Sequence, residues 1–132
     1  MPSKLAERLR PTLAEWERGN FAAGGEIISS DVLLSFFSPE GMIASRGVDK
    51  VAGRLREIFE QWGDYRIEVD DLDELEDSVV LMSGKQHGLG KRSGIRIDDS
   101  LYVVFRFEDD RITEMYWHIE RSEALRAAGV SA

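Results

Sequence analysis

Two titratable side chains in this sequence have surroundings that suit acid–base chemistry. His118 precedes Glu120 by two residues, and an imidazole beside a carboxylate can act as a general base because it titrates near neutral pH. Asp99 alternates with Leu101 along one stretch, which predicts that it reaches an apolar opening, where a raised pKa would make the carboxyl group a proton donor. His118 and Asp99 are therefore the candidate catalytic residues. The alternatives are a hydrogen-bonded histidine at an interface and a rim carboxylate paired with a nearby basic side chain.

The sequence offers no metal-binding pattern. It contains no cysteine, which excludes thiolate ligands and disulfides, and two distant histidines do not make a metal site. The acidic run DDLDELED lacks the glycine and the twelfth-position glutamate of a calcium-binding EF-hand loop. His87 lies among glycines and is expected to be solvated on the outer face of a strand. We therefore expect neither a metal nor a cofactor.

The charge is concentrated in one segment. The 132 residues are 42% hydrophobic and 32% charged, and 17 basic and 25 acidic side chains give a net charge of −8. Residues 64–77 hold eight acids and one arginine, which favours a solvated strand, whereas residues 85–96 hold four basic side chains and no acid. An acidic balance disfavours binding to nucleic acids and anionic membranes. The length predicts one domain, residues 1–132, and the polar start and lack of a long apolar run predict a soluble cytoplasmic protein.

Apolar residues at helical spacing predict four helical stretches. The first covers Lys4–Arg18, with Pro11 at a kink or a new start, and a short stretch at Phe21–Ile28 follows it. Val48–Trp62 has the clearest apolar face and must pack on something apolar. Glu123–Ala128 is expected to form a short terminal helix.

Five stretches favour strands, and they follow the first helices as a series of hairpins. Helices followed by a long antiparallel meander indicate an α+β domain in which helices cover one face of a curved sheet. The predicted strands are Val32–Phe37, Tyr65–Leu72, Ser78–Gly88, Ile95–Phe107 and Ile112–Ile119.

The last hairpin can be aligned in two ways. A two-residue loop would pair Phe105 with Glu114, whereas a three-residue loop would pair Val103 with Met115 and require a left-handed Asp110. The second register gives one continuous apolar face, so burial favours it. The opposite face is amphipathic and rich in aromatic residues, which predicts a subunit interface. Its main members are Tyr102, Val104, Tyr116 and His118.

Segments along nearly the whole chain resemble the SnoaL-like branch of the nuclear transport factor 2-like superfamily. Their order and spacing, more than any one segment, carry the resemblance. It implies a cystatin-like α+β fold, with a cone-shaped curved antiparallel sheet covered on its concave face by about three helices. It also implies a pocket inside the cone and homodimers through the outer sheet face. The matching segments are LAEWERGNF, SSDVLLSFF, SRGVDKVAGRLREIFEQW, GKQHGLGKRSG, FRFEDDRITEMYW and SEALRAAGV.

The strand and helix patterns predict which side chains line this pocket. Most are apolar, and Gln86 is the most plausible polar member. Such a lining suits a small apolar ligand. The predicted lining consists of Trp16, Phe36, Leu55, Phe59, Val80, Met82, Gln86, Leu101, Val103, Phe105, Met115, Trp117 and Ile119.

The resemblance also identifies the positions where acid–base residues would be expected. In ketosteroid isomerase relatives, two aspartates and a tyrosine perform the reaction. The resemblance places Phe36 and Val103 at the positions of the two aspartates and Thr12 near that of the tyrosine. SnoaL-type cyclases usually carry a histidine before the tryptophan-containing end of the last strand, where this chain has Met115. The usual acid–base set is therefore missing.

Three functions remain open from the sequence. The first is a dimeric module that binds a small apolar molecule in the cone. The second is an isomerase, dehydratase or cyclase that uses Asp99, Gln86 or His118 in an arrangement unlike that of the family. The third is an interaction domain with a filled cone, which acts through its outer sheet face.

Overall fold

The computed structural model describes residues 4–20, 23–38, 41–60, 62–76, 78–90, 94 and 96–130, and it describes side chains for all of these except 37, 38, 41–43, 58, 59 and 62–64. Within these residues the chain forms three helices and six strands. The helices are α1 (Lys4–Glu17), α2 (Val48–Glu60) and α3 (Arg121–Ala127). The strands are β1 (Ile28–Ser38), β2 (Gly41–Arg46), β3 (Trp62–Glu76), β4 (Val79–Gly90), β5 (Arg96–Glu108) and β6 (Arg111–His118).

All six strands belong to one sheet in the order β2-β1-β6-β5-β4-β3. Every neighbouring pair is antiparallel except β1 and β6, which run parallel. The predicted α+β fold with a curved, mostly antiparallel sheet is confirmed. Strands β3 to β6 pair antiparallel in sequence order, as predicted. Strand β1 forms a hairpin with β2 and also runs parallel beside β6, which the sequence pattern did not predict.

Helices α1 and α2 cover one face of the sheet, called the inner face below. Leu9, Leu13 and Trp16 recur every three or four residues in α1 and are at most 2% exposed. Val51 and Leu55 recur at the same spacing in α2 and are 4% and 7% exposed. These side chains form one cluster with alternate residues of the strands, so burial of this face is what holds the helices on the sheet.

Helix α3 packs on the opposite face, called the outer face below. Its Ala124 and Leu125 join Val79, Leu81 and Val104 in a second buried cluster, separate from that of the inner face. Strand residues alternate between faces, so Val79 and Leu81 point away from α1 and α2. The expectation that all three helices cover the concave face therefore does not describe α3.

The register of the β5–β6 hairpin differs from both alternatives considered above. Val103 pairs with Trp117, not with Met115. The loop has two residues, Asp109 and Asp110, whose φ angles of 52° and 64° form a left-handed turn suited to hairpins. A bulge between Arg106 and Phe107 then shifts the pairing by one residue. The bulge aligns the apolar side chains that a simple two-residue loop would leave out of register.

Two further sequence predictions are corrected between α1 and α2. The short helix expected at Phe21–Ile28 is wrong, because residues 23–27 form turns and β1 begins at Ile28. The adjacent Gly24 has a φ of 108°, which ends helical geometry there. Strand β2, which the sequence reasoning missed, pairs with β1 from Ser38 opposite Gly41 to Leu33 opposite Arg46.

Strand β3 carries the acidic segment at the edge of the sheet. Its described acidic side chains are exposed, which confirms the predicted solvated strand. No described helix is long and apolar enough to cross a membrane.

Candidate functional site

The inner face gathers most of the side chains predicted to line a pocket. Ten of them are buried, and Phe36 is half-buried beside them. The side chain of Phe59 lies outside the described residues. The ten buried members are Trp16, Leu55, Val80, Met82, Gln86, Leu101, Val103, Phe105, Met115 and Trp117.

Among the predicted lining residues whose side chains are described, only Ile119 lies elsewhere. It is 38% exposed and lines a groove on the outer face. The prediction extended strand alternation to Ile119, but β6 ends at His118 and the chain turns there toward α3. Beyond Trp117, β6 therefore adds no further side chain to the inner face.

Four aromatic rings occupy the middle of the inner face. Trp16 stacks on Trp117 with ring centroids 5.9 Å apart, and its ring lies 6.2 Å from that of Phe105. The ring of Phe36 lies 5.5 Å from Trp117 on the side of β1. Phe36 is half-buried, whereas the other three rings are buried.

The two indole N–H groups of this cluster differ in their partners. Trp16 Nε1 donates to the carbonyl of Ala23 at 3.0 Å. Trp117 is 1% exposed, and its Nε1 is buried without a hydrogen-bond partner. Most buried polar groups in proteins are paired, so this donor is unusual.

A tyrosine and a glutamine provide the polar part of the inner face. The hydroxyl of Tyr65 donates to Oε1 of Gln86 at 2.7 Å, and both side chains are buried. Burial raises the pKa of Tyr65, so its hydroxyl stays protonated and keeps donating at physiological pH. The bond occupies the amide oxygen of Gln86 and leaves the amide NH₂ as the group that can donate to a ligand.

Asp99 lies at the exposed end of the same face. It pairs directly with Gln86 across β4 and β5, and directly opposed residues share a face. Its side chain is exposed, as expected for a residue at the rim. Asp99 and Gln86 are the only two of the three candidate catalytic residues that the structure brings together.

His118 lies on the outer face, as its strand register predicted. It is 7% exposed, and burial lowers the pKa of its imidazole, although the nearby Glu123 acts in the opposite direction. The imidazole is therefore neutral at pH 7. His118 contributes to a groove of about 520 Å³ that is also lined by Ser35, Tyr116, Ile119, Glu120, Glu123, Arg126 and Ala127. The sheet separates it from Asp99 and Gln86, so these three residues do not form one site.

The outer face offers less free surface to a partner than the sequence suggested. Val104 is fully buried against α3, and His118 is nearly so. Tyr102 and Tyr116 are half-buried. Burial and a hydrogen bond to Glu114 at 2.5 Å raise the pKa of Tyr116 to about 12. Of the predicted interface, the two tyrosines remain available.

His87 is held between two carboxylates and is not simply solvated. Its Nδ1 is hydrogen-bonded to Asp98, and its Nε2 lies 3.5 Å from the carboxylate of Glu68. No group of three or more histidine, aspartate or glutamate side chains among the described residues is arranged to hold a metal ion.

The three positions where the family resemblance led us to look for acid–base residues are apolar or buried. Phe36 and Val103 belong to the inner face or pack against it, and Thr12 is 5% exposed in α1. None of these three side chains can exchange a proton near neutral pH.

A comparison of the sequence with known protein families finds a match. The sequence profile of the SnoaL-like domain matches residues 9–115. The chain belongs to the SnoaL-like family. No curated protein matches it.

Solved structures share the fold of this SnoaL-like chain at low sequence identity. A nuclear transport factor 2-like protein of unknown function from Burkholderia pseudomallei K96243 has a TM-score of 0.76 and 19% identity, over 95% of this chain and 97% of that one. A protein assigned as a SnoaL-like polyketide cyclase from Jannaschia sp. CCS1 has a TM-score of 0.72 and 16% identity, over 100% and 99%. A ketosteroid isomerase-like protein from Catenulispora acidiphila DSM 44928, in complex with trimethylamine, has a TM-score of 0.71 and 14% identity, over 99% and 96%. At these identities the similarity establishes the fold alone.

Tyr65 is the residue of this SnoaL-like site that the sequence reasoning missed. Alternation along β3 places Tyr65, Ile67 and Val69 on one face, which was a usable signal. Its hydrogen bond to Gln86 was not predictable, because the register between β3 and β4 shifts near Tyr65.

Proposed function

We propose that this SnoaL-like protein binds a small, mostly apolar molecule on the inner face of its sheet. The observation that carries the proposal is the composition of that face. Its buried cluster consists of apolar and aromatic side chains, and the Tyr65–Gln86 pair is its polar anchor. Binding sites for small molecules commonly combine an apolar lining with a few placed polar groups.

The absence of acid–base groups at the family's usual positions favours binding over catalysis. Phe36 and Val103 can contact a ligand but can neither accept nor donate a proton. No charged side chain is among the buried described residues. A neutral ligand would therefore match this face better than an ion, because a buried unpaired charge is costly.

Titration with ethylbenzene, a small neutral aromatic hydrocarbon, tests this proposal. Wild-type protein is expected to bind it saturably, as measured by NMR chemical-shift changes. The Phe36→Ser variant removes a half-buried ring beside Trp117 and is expected to weaken binding about tenfold, because apolar contact area is lost.

Ile119→Ser is the matched control. It also removes a partly exposed apolar side chain, but from the outer face. We expect it to leave the affinity unchanged. Absence of saturable binding, or equal loss of affinity in both variants, would contradict a ligand site on the inner face.

A second candidate function is acid–base catalysis at the exposed end of the inner face. The observation that favours it is the direct pairing of Asp99 with Gln86 across neighbouring strands. A carboxylate beside an amide donor is a minimal arrangement for removing a proton next to a carbonyl group. Exchange of the methyl protons of acetophenone for deuterium in D₂O distinguishes the two functions. Acceleration that disappears in Asp99→Asn would support catalysis, and exchange at the buffer rate would support binding alone.

A further inference from the structure

The indole N–H of Trp117 on the inner face has no hydrogen-bond acceptor within the described part of the protein. Trp117 is 1% exposed, and its Nε1 has no hydrogen-bond acceptor. An unsatisfied buried donor destabilises a fold, and few are found in native proteins. The indole of Trp16, which stacks on Trp117, is paired in the usual way, since its Nε1 donates to the carbonyl of Ala23.

The position of Trp117 allows an acceptor to come from outside the chain. Its ring lies 5.9 Å from that of Trp16 and 5.5 Å from that of Phe36. Phe36 is half-buried, so solvent reaches the side chain next to Trp117. Strand β6 ends one residue beyond Trp117, and Ile119 turns to the outer face, so β6 places no further side chain beside the indole.

The surroundings of Trp117 also limit the chemistry of that acceptor. The buried residues around it are apolar and aromatic, and none of the described buried side chains carries a charge. A carboxylate or phosphate would lack a cation to offset the loss of its hydration. A neutral oxygen, such as that of a ketone, ester or ether, can accept the hydrogen bond without that cost.

We infer that Trp117 Nε1 is a ligand-binding donor that selects neutral, apolar molecules carrying a hydrogen-bond acceptor oxygen. This inference rests on the proposed binding function of the inner face and adds a specificity-determining residue to it. The donor lies at a different position from Thr12, which the resemblance places near the position of the tyrosine in ketosteroid isomerase relatives. Trp117 would thus provide a hydrogen bond from the one indole N–H that lacks an acceptor among the described members of the aromatic cluster.

Three probes of nearly equal size test this inference. Acetophenone carries a carbonyl oxygen, ethylbenzene lacks an acceptor, and benzoate carries a charge. In ¹⁵N-labelled wild-type protein, the Trp117 indole N–H signal is expected to move downfield with acetophenone, as hydrogen-bond formation requires, and not with ethylbenzene. Benzoate is expected to bind at least about tenfold more weakly than acetophenone, because its charge would be buried without a partner.

Replacement of the donor provides the quantitative test. Trp117→Phe keeps an aromatic ring but removes the N–H, and it also assigns the indole signal. The ratio of the affinities for acetophenone and ethylbenzene is expected to fall about two- to tenfold in this variant, the range for one net hydrogen bond. Substitution of Trp117 by 3-benzothienylalanine, which replaces the N–H with sulfur at nearly constant shape, is expected to give the same fall.

The outcomes separate this inference from the function on which it rests. Saturable binding of both neutral probes, with an unmoved Trp117 signal and an unchanged affinity ratio, would overturn the role of Trp117 and leave the binding function standing. No saturable binding of any probe would overturn both. If Trp117→Phe does not fold, the indole shift in wild-type protein still tests whether Trp117 Nε1 donates to the ligand.

Discussion

Individual side chains determine what the inner face can do. Phe36 and Val103 cannot transfer protons, and the Tyr65–Gln86 pair supplies hydrogen bonding without a charge. Trp117 adds a buried donor without a protein acceptor. A face of this kind is suited to holding a neutral molecule.

His118 gives a pH-dependent prediction at the residue scale. Burial lowers the pKa of its imidazole in the folded protein, so the unfolded chain binds the proton more readily. The free energy of unfolding is therefore expected to fall as the pH drops below about 6.5, the ordinary histidine pKa, and to level off below the lowered pKa of the folded state.

Denaturant unfolding of the wild-type protein and His118→Gln between pH 7.5 and pH 4.5 measures this contribution. The difference between the two stability curves isolates His118, since the other titrating groups are common to both. The variant is expected to lose less stability over this range. Parallel curves would show that His118 is not the group responsible.

The sequence predicted which residues form most of the inner face, but it did not predict their hydrogen-bond partners. Alternation along β5 and β6 placed Leu101, Val103 and Trp117 correctly, because strand period depends only on local geometry. Alternation failed at Ile119, because it cannot show where a strand ends. It also cannot show that Trp117 Nε1 lacks an acceptor, which depends on segments far apart in the chain.

At the scale of secondary-structure elements, bulges and close approaches set how the strands meet. The bulge in the β5–β6 hairpin aligns Val103 with Trp117, and the sequence pattern alone gave no sign of it. The β3–β4 pair contains register shifts on both sides of Ile67. Burial thus selects the correct face, whereas turn and bulge geometry selects the register.

Gly84 in β4 is expected to be required for the close approach of β3. A Cβ at this position would lie 2.0 Å from the backbone carbonyl oxygen of Glu68, so one of the two strands would have to move. Gly84→Ala is expected to lower the free energy of unfolding by about 1–3 kcal/mol, the usual cost of overpacking.

Gly53→Ala in α2 is the control for the same substitution. A Cβ there meets no atom within 4 Å, and alanine favours helix, so this variant is expected to gain about 0.5–1 kcal/mol. Chemical denaturation of both variants measures the contrast. Equal stability of Gly84→Ala and the wild-type protein would contradict the close strand contact.

Arg106 is expected to hold the end of α3 on the outer face. Its Nε and Nη2 donate to the carbonyl of Ala128 at 2.9 Å and 2.6 Å. Arg106→Lys keeps the charge but cannot form both hydrogen bonds to the carbonyl of Ala128. Amide hydrogen exchange in α3 is therefore expected to accelerate about fivefold or more.

Arg126→Lys is the corresponding control within α3. Arg126 pairs with Glu123 within the same helix, and its side chain is 75% exposed. Exchange is expected to stay at the wild-type rate in this variant. The same rate in Arg106→Lys would show that packing of Leu125 alone holds α3 in place.

At the scale of the whole molecule, the order of the strands brings together segments that are far apart in the sequence. The parallel pairing of β1 with β6 joins the first strand to the last, so the aromatic cluster draws on α1, β1 and β6 at once. The sequence predicted the fold through the resemblance of several segments in order. The parallel pair was missed, because periodicity within a segment does not indicate its distant neighbour.

We propose that two copies associate through the tyrosines of the outer face. Sedimentation equilibrium is expected to give twice the chain mass of 14.9 kDa for the wild-type protein. Tyr102→Arg is expected to shift the population to monomers, because it places a charge in the middle of that face. Asp73→Arg, on the exposed edge strand β3, is expected to leave the dimer intact. A monomeric wild-type protein would contradict the proposed association.

We propose that a small neutral molecule occupies the inner face. Intermolecular NOEs between ethylbenzene and methyl-labelled protein test this binding most directly, since they report which side chains lie within a few ångströms of the probe. NOEs are expected to the methyl groups of Leu101 and Val103 on the inner face. NOEs confined to Ile119 and Ala127, which line the groove on the outer face, would contradict it.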